Sequence, residues 1–138
     1  MRTLLLGFGL LVAAGCGPTE PSVYPVSGTV KLGGGQSPAG CVVEFSSQAE
    51  ATKGLNARGE VGADGAFTLK TVISGKEKAG AVAGPHKVVV VPPAASSTPG
   101  APVPPAIPVR YADYAKSGLT AEVKPDGANA VELKLDAK

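Results

Sequence analysis

Between Leu55 and Leu69 the chain alternates in period two on both sides of an Asp-Gly step, and no other stretch restricts the fold as strongly. Leu55, Ala57, Gly59 and Val61 alternate with Asn56, Arg58 and Glu60. Beyond Asp64-Gly65, Phe67 and Leu69 alternate with Thr68 and Lys70. Successive strand side chains point to opposite faces, so this spacing gathers the apolar set on one side and the polar set on the other. Glycine takes the positive φ of a tight turn without a steric penalty, which makes Asp-Gly between alternating runs a strong hairpin signal. A hairpin over 55–69 is predicted.

The same spacing recurs along the chain. Val26, Gly28, Val30 and Leu32 alternate with Ser27, Thr29 and Lys31, and Gly33-Gly34-Gly35 ends the run. Cys41, Val43 and Phe45 share a face opposite Val42 and Glu44. The run from His86 to Val91 holds four consecutive valines, which cannot all face one side; it reads as a central strand covered on both faces. Leu119, Ala121 and Val123, then Val131, Leu133 and Leu135, flank the turn Pro125-Asp126-Gly127 and predict a closing hairpin. Ser46–Lys53 and Ser74–Gly84 read as loops, with Lys76-Glu77-Lys78 as a solvated turn. Residues 92–108 hold seven of the thirteen prolines and read as an exposed polyproline II or disordered insertion, dispensable for folding. Residues 107–118 have only weak periodicity. The expectation is an all-β domain over 26–138, an antiparallel sandwich or barrel of about seven strands.

Composition supports that class and excludes others. Valine and alanine supply most of the apolar content, tryptophan is absent, and 19 glycines and 13 prolines cut the chain into short segments. Thirteen basic against eleven acidic residues give a net charge of +2, with no like-charge run. Nucleic acid as a partner is excluded, since that needs a basic stripe with interleaved aromatics. The single histidine leaves a Ser/His/Asp triad or a Cys/His zinc set without partners, so no catalytic residue, metal or cofactor is assigned. Acidic residues are spread singly, which argues against a calcium site. Asp64 and Asp126 read as turn residues.

At the amino terminus, Arg2 precedes an uncharged stretch from Leu4 to Ala14, and Leu11-Val12-Ala13-Ala14-Gly15-Cys16 closes it. A basic start, a short apolar core and small residues form an export signal. The run is shorter than the ~20 residues of a membrane-spanning helix. The cysteine directly after the small residues resembles a bacterial lipoprotein signal, the lipobox, with Ala13 where leucine is commoner. The resemblance implies cleavage between Gly15 and Cys16, acylation of Cys16 and a membrane as partner through that lipid. It implies a mature chain exported to the cell envelope, and Gly17, which is not the aspartate of a retention signal, points to the outer membrane. Residues 1–15 are then a signal peptide and 16–25 a tether. If Cys16 carries lipid, Cys41 has no intramolecular partner, and its alternation with Val43 and Phe45 reads as burial.

Further along, Val26-Ser-Gly-Thr-Val30, Gly59-Glu-Val-Gly-Ala-Asp-Gly-Ala-Phe-Thr-Leu69 and Gly84-Pro-His-Lys-Val-Val-Val90 resemble the carboxypeptidase regulatory-like domain. Ile107-Pro-Val-Arg-Tyr111 and Ser117-Gly-Leu-Thr-Ala-Glu-Val123 resemble small bacterial lipoproteins carrying such a domain alone. The resemblance implies a transthyretin-like antiparallel β-sandwich without chemistry of its own, a structural or interaction module with an envelope protein or polysaccharide as partner. His86 replaces the family's usual aromatic and reads as a packed residue. Two other function classes are weighed. One is a ligand-binding module: carbohydrate would use Tyr111 and Tyr114, the only aromatic candidates, whereas calcium would need clustered carboxylates. The transthyretin-like hydrolase of 5-hydroxyisourate uses several histidines and a Tyr-Arg-Gly-Ser tail, whereas this chain ends Leu135-Asp-Ala-Lys138.

Overall fold

The computed structural model describes residues 15, 17, 19–101 and 103–138. The strands are β1 (Val23–Tyr24), β2 (Val26–Leu32), β3 (Val42–Ser47), β4 (Asn56–Glu60), β5 (Ala66–Thr68), β6 (Lys70–Ile73), β7 (Lys76–Ala79), β8 (Ala81–Val82), β9 (Gly84–Val91), β10 (Leu119–Val123) and β11 (Asn129–Leu135). Two short 3-10 turns, Glu50–Thr52 and Val109–Ala112, are the only helical pieces among the described residues. The protein is all-β.

A six-stranded sheet runs β10-β9-β3-β4-β6-β7, a three-stranded sheet runs β11-β2-β5, and β1 pairs with β8 beside them. Val43 and Phe45 from β3 and Val88 and Val90 from β9 join Val30, Phe67, Leu133 and Leu135 of the smaller sheet in one core. The two larger sheets therefore share a single core, in a sandwich-like arrangement. Phe45 and Phe67 meet across it, with ring centroids 6.3 Å apart and planes tilted by 58°. Such tilted pairs bring the positive edge of one ring towards the negative face of another. As expected, β9 is central, between β10 and β3. Its Val89 is 2 % exposed although it lies outside the core cluster, so the outer face is covered there too.

The turn at Asp64 forms, but the hairpin predicted over 55–69 does not close within those bounds: β4 pairs with β6, beyond the expected second arm. Gly62 N–H donates to the Ala66 carbonyl at 2.8 Å, and Ala57 pairs with Thr71, each pair symmetric about Asp64. Between those points β5 leaves to pair with β2. Leu69 is the hinge: its N–H donates to the Val26 carbonyl at 3.0 Å, while its own carbonyl accepts from Gly80 N–H at 2.7 Å. The departing strand passes over Gly59, where a Cβ would overlap the Thr68 carbonyl. Gly28 plays a similar part, lying between Phe67 and Val131 where a Cβ would come within 2.6 Å of the Phe67 ring.

Four other expectations are corrected. The sandwich is not purely antiparallel: β11 runs parallel to β2 in the register Asn129–Val26 to Leu135–Leu32. The closing hairpin of 119–123 with 131–135 does not form, because β10 pairs with β9 in the six-stranded sheet and β11 joins the other. Residues 74–84 are not a loop; Ser74 (φ 52°) and Gly75 (φ 76°) make a two-residue turn between β6 and β7. Positive φ at both central positions matches the strand twist, as in a type I′ hairpin. Finally, the unpatterned stretch before Pro25 ends in β1, whose Tyr24 packs against the core.

The described residues of 92–108 contain no strand or helix. Positions 94–100 are exposed, whereas Ala101, Pro104, Pro105, Ile107 and Pro108 are half-buried and the exposed Val103, Ala106 and Val109 recur every three residues. A spacing of three fits a polyproline II strip laid against the domain. Val103 and Val109, on another side of that strip, are 90 % and 89 % exposed.

Candidate binding face on the six-stranded sheet

The side chains of β3 and β4 that point away from the core bring chemistry together. Antiparallel pairing sets Glu44 opposite Arg58 and Ser46 opposite Asn56. Directly opposed side chains in such a ladder are close enough to interact. Glu44 Oε2 meets Arg58 Nε at 2.5 Å, and Asn56 Nδ2 reaches Glu44 Oε1 at 3.4 Å. Tyr114, carried by the segment between the second 3-10 turn and β10, donates its hydroxyl to Glu44 Oε1 at 2.5 Å. The Glu44 side chain is 14 % exposed, against 69 % for Arg58, so the carboxylate is the shielded centre of the group. Burial pushes the Tyr114 phenol well up from its usual range, and the hydrogen bond to Glu44 adds to the shift. Tyr114 therefore keeps its proton and is a firm hydrogen-bond donor to Glu44.

A shallow groove of about 630 Å³ opens beside this cluster, lined by Glu44, Asn56, Arg58, Lys70, Val72 and Glu77 with Gly54 and Leu55. Lys70 and Glu77 pair across β6 and β7 at 2.7 Å, and Val72 between them is 61 % exposed. The face offers paired charges, an amide and one apolar side chain. A larger concavity of about 710 Å³ lies on the three-stranded sheet. Glu60 and Glu132 are its only ionisable lining, among small side chains such as Ser27, Thr29 and Ala130.

Tyr111 and Tyr114 have different surroundings. Tyr111 is 4 % exposed, and its hydroxyl accepts from Asp136 N–H at 2.8 Å and from Arg110 at 3.1 Å. The Arg110 guanidinium also sits 4.6 Å from the Tyr111 ring centroid. Tyr111 thus fastens the segment after the proline strip to the end of β11. Cys16 and residues 1–14 lie outside the described residues, so the acylation and signal assignments do too; Gly15 is exposed.

The two side chains most capable of covalent or acid–base work are both in the interior. Cys41 is a free thiol with 0 % exposure, and burial raises its pKa. His86 is 2 % exposed, with its ring 5.8 Å from that of Phe45 and Nδ1 2.9 Å from the Gly84 carbonyl. Burial lowers its pKa, opposed by that hydrogen bond. Glu44, Arg58 and Asn56 escaped sequence reading because each looks like an ordinary solvent-side residue. The signal was the pairing of 41–45 with 55–61, which sets opposite charges face to face.

No protein-family model, curated protein or solved structure matches this chain.

Proposed function

We propose that this is a lipid-anchored, non-catalytic protein of the bacterial cell envelope. Its domain, a β-sandwich of the transthyretin-like type, serves as an interaction module. One observation carries the non-catalytic reading: the lone histidine and Cys41 are both sealed among core side chains, each held towards its neutral form by burial. A catalytic group has to reach its substrate within hydrogen-bond distance. The anchor rests on the arrangement of Arg2, the apolar stretch and Ala14-Gly15-Cys16. Three acyl chains on one amino terminus give a hold that a single chain cannot, at ~0.8 kcal/mol per buried methylene.

The test is metabolic labelling with a fatty-acid analogue. The wild-type chain should take up label and Cys16→Ser should not; equal labelling of both would reject the anchor. A second reading, a carbohydrate-binding module, draws on the groove beside Glu44, where Asn56, Arg58 and Glu44 place donors and acceptors side by side. Envelope oligosaccharides that shifted the backbone amide NMR signals of Asn56–Arg58 in wild type but not in Arg58→Ala would favour it over a protein partner.

A further inference from the structure

The edge of the three-stranded sheet is drawn by two hydrogen bonds. Asn129 N–H donates to the Pro25 carbonyl, and the Leu135 carbonyl accepts from Gly33 N–H. In a parallel strand the N–H and C=O of one residue point the same way and alternate along the chain. Odd-numbered residues of β11 therefore face β2, and Ala130, Glu132 and Lys134 direct their backbone groups away from it. No strand pairs with that side among the described residues. The next outward N–H, that of Asp136, is taken by the Tyr111 hydroxyl, which closes the edge at its end. What stays open is a short ladder over 130–134.

We propose that this open edge pairs antiparallel with the β11 of a second copy of the chain, about a two-fold axis through Leu133. The charges favour that register: among those centred on residues 131 to 134, it alone sets opposite charges face to face. With Leu133 opposite its own copy, Glu132 lies opposite Lys134 of the other copy, twice over by symmetry. Those are also the residues whose N–H and C=O point outwards, as exchange of both hydrogen bonds in an antiparallel pair requires. Sliding the register to centre on Glu132 sets like charges directly opposed, and centring on Lys134 does the same; both are disfavoured. An edge protected by charges of one sign repels its copy. This one carries Glu and Lys two positions apart, 53 % and 80 % exposed, joined within the chain only by a 3.7 Å pair. The dimer joins two three-stranded sheets into one of six strands. It leaves the Glu44 face of each copy free, and it does not depend on the lipid.

Sedimentation equilibrium on the full chain in density-matched detergent tests it. Wild type should form a dimer that weakens as salt screens the pairs. Glu132→Lys and Lys134→Glu should each weaken it by about tenfold or more, because both symmetric pairs turn repulsive. The double variant Glu132→Lys/Lys134→Glu restores opposite charges and should dimerise like wild type. Mixing the two single variants should yield a heterodimer from two poorly associating chains. Both side chains are exposed, so circular dichroism should be unchanged throughout. Wild type that stays monomeric at about 1 mM, the weak end of specific association, would overturn the proposal. So would single variants that dimerise undiminished, or a mixture that fails to recover.

Discussion

Cys41 and Phe45 share an inner face with Val43, and all three are fully buried. A thiol in apolar surroundings keeps its proton and is inert, since the thiolate is the reactive form. Native Cys41 should therefore resist a maleimide reagent and react at once in denaturant; rapid labelling of the folded protein would contradict its burial. Cys41→Ala should cost about 1 kcal/mol, in the ordinary range for a small core truncation, as read from urea unfolding. His86 makes stability depend on pH. Its folded pKa is lowered by burial while its unfolded pKa stays near the usual value of about 6.5. Below that value the unfolded chain binds a proton that the folded chain refuses, so stability should fall as pH drops from about 6.5 towards 5. The slope can reach about 1.4 kcal/mol per pH unit. The window from about 6.5 to 5 is the one in which this histidine acts. His86→Phe should flatten the urea midpoint across it, and an unchanged slope would assign the acid sensitivity elsewhere.

The elements divide by whether their pairing is local. Period-two spacing identified the faces of β2, β3, β4 and β11, because which side is apolar depends on the strand alone. The turn at Asp64-Gly65 was legible because a positive φ is written in its glycine, φ 82°. The turn at Ser74-Gly75 carries the same kind of signal, but β7 after it is Lys-Glu-Lys-Ala with no apolar face, so no alternation marked it as a strand. Edge strands commonly carry such charges in place of an apolar face. Of the candidate face only Tyr114 was visible; Glu44, Asn56 and Arg58 become a site only once register is known. The proline strip divides as well. Residues 94–100 are exposed, whereas Ile107 packs against the core and Tyr111 is buried. Replacing 94–100 with an equal Gly/Ser stretch should move the thermal midpoint by no more than a degree or so, about 0.2 kcal/mol on the scaling for a domain of this size. Extending the replacement through Ile107 should lower it by several degrees. Equal midpoints for the two would mean that Ile107 does not anchor the strip.

At the scale of the molecule, the first long strand and the last one close the fold. The parallel pairing of β2 with β11 spans nearly the whole domain, from Val26 with Asn129 to Leu32 with Leu135. A turn in the sequence announces strands that are close along the chain. It says nothing of a partner a hundred residues away, so Pro125-Asp126-Gly127 suggested a hairpin where the chain crosses between sheets. Pairings this distant are made late, because loop-closure entropy must be overcome before the contacts return anything. They are also the ones the fold cannot lose. Leu133 and Leu135 are 3 % and 2 % exposed in the common core, and removing a buried leucine side chain costs about 2–5 kcal/mol. Two such losses approach the whole stability of a typical domain, about 5–15 kcal/mol. A chain ending at Asp126 should therefore fail to fold cooperatively, losing amide protection in β3 and β9 as well as in β2, as read by hydrogen exchange. Leu133→Ala should keep the fold at a reduced urea midpoint. If the shortened chain kept full protection in β9, the six-stranded sheet would be stable alone, and β11 would be an added strand instead of the closure of the core.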